Sequence, residues 1–295
     1  MLLKGGYMFL LKLFRPKFFK RILIYGLAAV GVFACLKFSS NNKIQPQTRE
    51  TLGTWWWSKN LDVDEYLTFA QKNKVTEVYY CDYSLNDSVA NFVEKVSKKS
   101  IKVYCLAGEK EWLDDRTGLD SLIEKYVEFQ ANHRYKFAGM HLDIEPHQFD
   151  DFSSKRAEYL HKLVDLMNEN KTRYSQIKFD YDIPFWLDDE IEYNGQTKEV
   201  YKHILDVADR TFVMSYRDTA EKMISVSQDE IQYAKENNKV LFLCAETYSE
   251  EGDTVSYLEE GTAYMLEELA KLRKELPKTF GIAIHNIKSW KNLPA

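Results

Sequence analysis

The most informative segment of the chain is Ala138-Gly139-Met140-His141-Leu142-Asp143-Ile144-Glu145-Pro146. Side chains alternate between the two faces of an extended strand, so His141, Asp143 and Glu145 share one face and the aliphatic residues between them share the other. Three titratable groups on one face favour a functional site, because clustered carboxylates are costly unless they are used. The alternative is a solvated strand face with a salt-bridge partner.

Seven further apolar runs extend this pattern along the chain. Together with the quoted stretch, the predicted strands are Gly53–Trp57, Glu77–Cys81, Ile101–Ala107, Phe137–Glu145, Ile177–Ile183, Thr211–Tyr216, Val240–Ala245 and Phe280–Ile284. Segments between them have helical periodicity, as in residues 89–96 and 159–167. This alternation predicts an α/β protein, a (β/α)8 TIM barrel over residues 51–295, with an open doubly wound sheet as the alternative. Residues 286–295 are all that follow the last strand, so the last outer helix is short or missing.

The composition argues against several classes of function. The chain of 295 residues has a formal net charge of -5, and no block of Lys and Arg follows residue 50, which argues against nucleic-acid binding. Neither a Gly-rich phosphate loop nor a dinucleotide fingerprint is present, so no cofactor is predicted. Aromatic residues make up 14% of the chain, which suits a barrel core and equally a cleft that stacks on sugar rings.

The first 50 residues differ from the rest of the chain. Residues 1–21 are basic, residues 22–38 are largely apolar, and residues 39–50 form a polar linker. A basic flank before an apolar run predicts an N-terminus in the cytoplasm and a barrel outside it, held at the cell membrane by a single-pass transmembrane signal anchor. In the alternative, residues 32–35 are a lipoprotein cleavage site and Cys35 is lipidated.

Three cysteines fall in the predicted barrel, and each lies on a predicted strand. Cys81, Cys105 and Cys244 are an odd number and show no spacing of a disulfide framework or of a metal site. A buried Cys behaves as a small apolar residue, so all three are predicted to belong to the core.

Residues that can carry chemistry recur at the predicted strand ends, where a barrel of this kind keeps its active site. Most of these strands end in a carboxylate, a His or an aromatic residue. A mouth of that composition suits carbohydrate chemistry, because carboxylates cleave glycosidic bonds and aromatic faces stack on sugar rings. The predicted substrate-binding residues are Trp57, Asp82, His141, Asp180, Asp182, Trp186, Tyr216, Arg217, Glu246, His285 and Trp290.

Asp143 and Glu145 are the predicted catalytic residues. Two positions apart on one strand, their carboxylates are about 6–7 Å apart along it. Like charges at that distance, partly shielded from water, raise the pKa of one of the two, and a carboxyl that stays protonated near neutral pH can protonate a glycosidic leaving group. A second carboxylate across the mouth, from Asp180, Asp182 or Glu246, would act as nucleophile or base, which leaves retention or inversion of the sugar open.

The fourth predicted strand resembles the signature strand of glycoside hydrolase family 18, the chitinase-like barrels. That signature reads Asp-Gly-x-Asp-x-Asp-x-Glu. Gly139 matches its Gly, Asp143 its last Asp and Glu145 its Glu, whereas Ala138 and His141 stand where the family has its first two Asp residues. The resemblance implies a TIM barrel that acts on a polysaccharide at the cell surface or in the environment.

Two further motifs are similar to those of the same family. Met214-Ser215-Tyr216 resembles its Met-x-Tyr on strand six, followed here by Arg217 instead of an acidic residue, and Trp290 resembles the Trp that floors the sugar subsite. The resemblance implies that Glu145 is the general acid, that Asp143 is its partner, and that Tyr216 positions the N-acetyl group of the substrate.

Two other functions are compatible with these residues. One is a metal-dependent carbohydrate hydrolase or deacetylase, with ligands from His141, Asp143, Asp180, Asp182 and His285. The two histidines lie on strands four and eight, at opposite sides of a barrel, which weakens this reading, and no metal site is predicted. The other is a barrel that binds a glycan or a partner protein without turnover.

Overall fold

The computed structural model describes residues 50–57, 62–248 and 254–295. The predicted basic segment 1–21, the predicted membrane segment 22–38 and linker residues 39–49 lie outside these ranges. Among the helices that are described, none combines the length and the apolar composition that a membrane crossing requires.

Eight parallel strands close into a barrel, which confirms the predicted (β/α)8 architecture over the open sheet. The strands of the chain are β1 (Leu52–Trp56), β2 (Glu77–Tyr80), β3 (Lys102–Ala107), β4 (Met140–Leu142), β5 (Phe179–Pro184), β6 (Glu190–Tyr193), β7 (Gln196–Glu199), β8 (Arg210–Met214), β9 (Leu241–Glu246) and β10 (Gly281–His285). The order around the barrel is β1-β10-β9-β8-β5-β4-β3-β2. Strands β6 and β7 form a separate antiparallel hairpin, which the sequence analysis did not predict.

Helices surround the barrel in the order expected from the alternating pattern. They are α1 (Val63–Lys72), α2 (Asp87–Ser97), α3 (Thr117–Asn132), α4 (Phe152–Arg173), α5 (Val200–Val207), α6 (Ala220–Val226), α7 (Gln228–Glu236), α8 (Gly261–Glu275) and α9 (Ile287–Lys291). Short 3₁₀ helices span Lys110–Leu113 and Pro146–Gln148. The last helix, α9, has only five residues, as predicted from the short C-terminal remainder.

Strand β4 has the predicted alternation and a shorter length than predicted. His141 lies inside the barrel, stacked on the ring of Tyr79 with centroids 4.1 Å apart, while Met140 and Leu142 belong to the core beneath the helices. Leu142 is the last residue of β4 that pairs with both neighbouring strands, β3 and β5, because Pro146 and a 3₁₀ turn follow it. The backbone N–H of Asp143 still donates to the carbonyl oxygen of Ala107 on β3, at 2.9 Å, so the extended chain continues for one more residue.

Two apolar cores hold the molecule together. The inner core fills the barrel with large rings, including Trp55, Tyr79, Tyr104, Phe212 and Phe242. The outer core lies between the strands and the helices. On α8 the buried apolar side chains are Met265, Leu269 and Leu272, whereas Tyr264 and Leu266 are exposed. The apolar face that this helix turns towards the barrel is therefore formed by Met265, Leu269 and Leu272.

A buried charge network lies near the amino ends of the strands. Arg210 donates to both carboxylate oxygens of Asp180, at 2.9 and 2.5 Å, and to Glu77 at 2.7 Å. Both carboxylates are 1% exposed. Burial raises the pKa of Asp180, but the charge of Arg210, its hydrogen bonds and the nearby His141 together outweigh burial and hold that pKa below its usual value. Asp180, predicted as a substrate-binding residue, is therefore a structural residue at the base of the barrel, because Arg210 pairs with it there.

Candidate active site

A cleft of about 230 Å³ opens at the carboxyl ends of the barrel strands. Its lining brings together four of the predicted site residues, which come from opposite sides of the barrel. The lining residues are Trp57, Gly108, Lys110, Asp143, Glu145, Gln148 and His285. Both predicted catalytic carboxyls therefore reach one cavity.

The side chain of Glu145 stands at the edge of this cleft and is 20% exposed. Gln148 donates its side-chain amide to Oε2, and His147 Nε2 lies 3.4 Å from Oε1. Burial, and then the charge of Arg156, lower the pKa of His147, so this ring is neutral at neutral pH. Two uncharged groups of the 3₁₀ turn therefore orient the Glu145 carboxyl without adding a positive charge beside it.

Asp143 lies deeper than Glu145 and is half-buried. Its Oδ1 is shielded from water and has no hydrogen-bond partner among the described residues. Burial first, and then the charges of Asp182 and Glu145, raise the pKa of Asp143 well above its usual range. Asp143 therefore keeps a proton at pH values at which an exposed Asp has lost it.

This raised pKa predicts how the stability of an Asp143→Asn variant depends on pH. An unfolded Asp loses its proton near pH 3.9, whereas folded Asp143 keeps it, so the wild type loses stability as the pH rises from about 4 towards the raised pKa. The Asn variant buries no charge and escapes this loss. Relative to wild type, its free energy of unfolding should therefore improve between pH 4 and pH 7, as measured by urea unfolding. Asp150→Asn, at an exposed position, is the control and should show no such trend; a difference that does not change with pH would contradict the raised pKa.

Asp182 and His141 lie below Asp143 inside the barrel. His141 Nε2 is 2.8 Å from Oδ2 of Asp182, and Trp55 donates its indole N–H to the same oxygen at 3.2 Å. Burial lowers the pKa of His141, but Asp182 and then Asp180 outweigh burial, so the net effect is a raised pKa. Asp182 and His141 are fully buried, so they support the site from beneath and do not line the cleft.

Glu246 and His285 form a hydrogen-bonded pair on the other side of the mouth. His285 Nδ1 lies 2.8 Å from Oε2 of Glu246, and Oε1 of Glu246 accepts the backbone N–H groups of Thr247 and Tyr248 at 2.6 and 2.8 Å. Trp57 donates its indole N–H to His285 Nε2 at 3.2 Å. Glu246 is buried, so only His285 and Trp57 of this group face the cleft.

Two predicted residues lie around the cleft on the β2 and β5 sides. Asp82 is half-buried and accepts the backbone N–H of Ser84 at 3.0 Å, so it begins a turn. Trp186 is half-buried under the guanidinium of Arg156, which lies 4.8 Å from the ring centroid. Neither side chain belongs to the lining of the cleft.

Two further predicted residues follow β8. The ring of Tyr216 stacks on His285, with centroids 6.2 Å apart and an interplanar angle of 27°. Burial, and then the charge of Glu246, raise the pKa of Tyr216, which keeps its hydroxyl protonated. The guanidinium of Arg217 lies 4.8 Å from the ring of Phe185. Tyr216 therefore packs against the His285 side of the mouth and does not belong to the lining of the cleft.

The family resemblance implied that Trp290 forms the floor of a sugar subsite, but the structure places its side chain in the outer core. The residue is 2% exposed, and its ring packs edge-on against Phe69 of α1 with centroids 4.9 Å apart. The short helix α9 turns this side chain into the outer core, where it covers apolar surface between the barrel and α1.

The sequence analysis missed three residues of the lining, Gly108, Lys110 and Gln148. All three lie in the segments just after strand ends, Lys110 and Gln148 in short 3₁₀ helices, where alternation no longer predicts orientation. Gly108 has a steric reason to be glycine: a Cβ there would be 1.9 Å from the carbonyl oxygen of Asp143, too close for any side chain. The loops after β3 and β4 therefore approach each other closely at the cleft. Within the described ranges, no three His, Cys, Asp or Glu side chains converge in an arrangement that would hold a metal ion.

Comparison with known proteins identifies the fold. No family model matches the chain, and no curated protein matches it. Active domain 2 of a thermostable chitinase from Pyrococcus furiosus, a catalytic-site mutant complexed with chito-oligosaccharides, superposes with a TM-score of 0.51 at 13% identity, covering 80% of this chain and 83% of that one. A putative α-L-fucosidase from Bacteroides thetaiotaomicron has a TM-score of 0.51 at 12% identity, covering 80% and 87%. At this identity the likeness defines the class of fold, a (β/α)8 barrel.

Proposed function

We propose that this protein is a glycoside hydrolase that acts on a polysaccharide. The observation that carries the proposal is the cleft that Asp143 and Glu145 line together at the carboxyl ends of the strands. Barrels of this architecture place their chemistry at that end, and glycosidic bonds are cleaved by pairs of carboxyl groups. The fold of the chitinase domain is consistent with this function.

In this proposal Glu145 is the general acid that protonates the glycosidic oxygen. Its side chain is 20% exposed at the edge of the cleft, so it can reach a bound sugar. Asp143 is the positioning residue beneath it, and its proton reduces the repulsion that a second negative charge would exert when Glu145 gives up its own proton. Trp57 and Gln148, in the same lining, supply a ring surface and an amide for sugar contact.

The test is a screen of the full chain against defined glycans, with product analysis by chromatography. Chito-oligosaccharides, β-1,3-glucan and partially deacetylated chitin cover N-acetylated, neutral and amino-sugar chemistry. Chain shortening of one class by the wild type supports the proposal, provided that Glu145→Gln slows it by about 10²-fold or more. Binding without cleavage for every class would favour the non-catalytic barrel instead.

We also propose that residues 22–38 hold the barrel outside the cytoplasmic membrane, on the basis of the sequence pattern alone. After cell fractionation, the full chain should be found with membranes and should be digested by protease added outside the cytoplasmic membrane. Cys35→Ala should leave both membrane retention and electrophoretic mobility unchanged if the segment is a signal anchor, whereas a change in either would indicate that Cys35 is lipidated. Recovery of the full-length chain as a soluble cytoplasmic protein would refute both forms of the proposal.

A further inference from the structure

Across the cleft from Glu145 stands the pair formed by His285 and Glu246. Strands β4 and β10 are four positions apart in both directions around the barrel, so Glu145 and His285 approach the cleft from opposite sides. A group opposite the general acid is placed where an attacking water would enter. Resting on the proposed function, we propose that His285 is the general base of this hydrolysis, so that the reaction inverts the anomeric configuration.

The hydrogen bonds fix the protonation pattern that a base needs. Glu246 can only accept at Oε2, so His285 Nδ1 must donate its N–H there, at 2.8 Å. Trp57 can only donate through its indole N–H, so His285 Nε2 must accept, at 3.2 Å. His285 is therefore the neutral Nδ1–H tautomer, and its Nε2 lone pair accepts from the indole of Trp57, another residue of the cleft lining.

Glu246 itself is held rigidly. Its second oxygen accepts the backbone N–H groups of Thr247 and Tyr248, and its side chain is only 3% exposed, whereas that of His285 is 24% exposed. A buried acceptor that orients a partly exposed imidazole is the arrangement that sets a His for proton transfer. The two residues are also register partners on neighbouring strands, so the barrel backbone fixes their separation.

The charges around His285 favour its taking up a proton. Burial lowers the pKa of His285, but the hydrogen bond and charge of Glu246, and then the charges of Asp182 and Glu145, raise it. Lys110 is the cationic side chain of the cleft lining. An imidazolium formed during the reaction is thus stabilised by the carboxylates of Glu246, Asp182 and Glu145.

The proposed step balances. The water oxygen forms a bond to the anomeric carbon while one of its protons passes to His285 Nε2. The bond from the anomeric carbon to the glycosidic oxygen breaks, and its electron pair stays on that oxygen, which takes the proton of Glu145. His285 ends protonated and Glu145 ionised, and exchange with solvent restores both. Trp57 must release Nε2 before water binds there, because one lone pair accepts one hydrogen bond.

The first test needs no glycan. Nitrogen-15 NMR of the ring of His285, assigned by its absence in His285→Asn, should show the Nδ1–H tautomer in the full chain, and Glu246→Gln should lower the pKa of His285. The Nε2–H tautomer, or a pKa that Glu246→Gln leaves unchanged, would overturn the proposal.

The second test uses a glycan that the wild type cleaves and Glu145→Gln does not. Proton NMR of the first-formed product should show the inverted anomer. His285→Ala should lower turnover by about 10²–10⁴-fold and lose the acidic limb of the pH profile, and added imidazole should restore part of the rate. His161→Ala, at an exposed position on α4, is the control and should be as active as wild type.

The outcomes separate the two proposals. If the product keeps its configuration while Glu145→Gln is inactive, the protein is a glycosidase and His285 is not its base. The same holds if imidazole leaves His285→Ala unchanged. If no glycan is cleaved, the proposed function itself fails and the role of His285 falls with it.

Discussion

Glu145→Gln is expected to slow glycan cleavage by about 10²–10⁴-fold, the usual contribution of a general acid. The amide keeps the shape of the side chain and can still accept from Gln148, which donates to Glu145 in the wild type. It has no proton of the required acidity to give to the leaving oxygen. Turnover should therefore fall while the affinity for the glycan changes little, as measured by initial rates and by calorimetric binding.

The leaving group gives this prediction a sharper form. In an aryl glycoside with an acidic phenol, the phenolate is a good leaving group and needs little protonation. Glu145→Gln should therefore lose far less activity on this substrate than on the natural linkage. Glu267→Gln, on α8 with a side chain 70% exposed, is the matched control and should behave as wild type. Equal losses on both substrates, or no loss at all, would show that Glu145 is not the acid.

Local sequence patterns predicted much of the barrel. The alternation in β4 depends only on the geometry of one extended strand, so it assigned His141 to the interior and Leu142 to the helix side without knowledge of any neighbour. The order of strands and helices could be predicted in the same way, since a short apolar run and a helical periodicity can each be recognised within about ten residues.

The β6–β7 hairpin shows what a search for apolar runs passes over. Its strands are mostly polar, and Ile191 is their one buried residue, so they carry no apolar run. The signal that was available is the turn: Asn194 and Gly195 both have positive φ, at 52° and 76°, and an Asn-Gly pair between two short strands is typical of a two-residue hairpin.

Depth within the barrel could not be predicted from one strand. Asp180 and Asp182 share a face of β5 and look equivalent in sequence, yet Asp180 pairs with Arg210 at the base while Asp182 lies beneath the cleft. The difference depends on a residue thirty positions away and on the register of two strands. The orientation of Trp290 likewise depends on the direction in which α9 leaves the barrel, which no local period encodes.

The largest expected effect on stability comes from Arg210→Met. The substitution leaves Asp180 and Glu77 buried without their cation, and breaking a buried ion pair in this way costs about 3–5 kcal/mol. Urea unfolding of the full chain at pH 7 should show a loss of that size. Arg173→Met, which removes an exposed ion pair to Asp120, is the matched control and should cost far less, because solvent screens an exposed pair.

The pH dependence of this loss identifies its cause. In the wild type the lowered pKa of Asp180 contributes stability above about pH 4, and this contribution disappears as the pH falls through the folded pKa. Without Arg210 the pKa of Asp180 should rise, because burial raises it and His141 is left to oppose burial, so the carboxyl accepts a proton more readily and the deficit of Arg210→Met should shrink from pH 7 to pH 4. Adding Asp180→Asn should recover part of the loss at pH 7. A deficit that is equal at both pH values and unchanged by Asp180→Asn would contradict this cause. That result would assign the deficit to lost packing, since the guanidinium of Arg210 also lies 4.1 Å from the ring centroid of Tyr104.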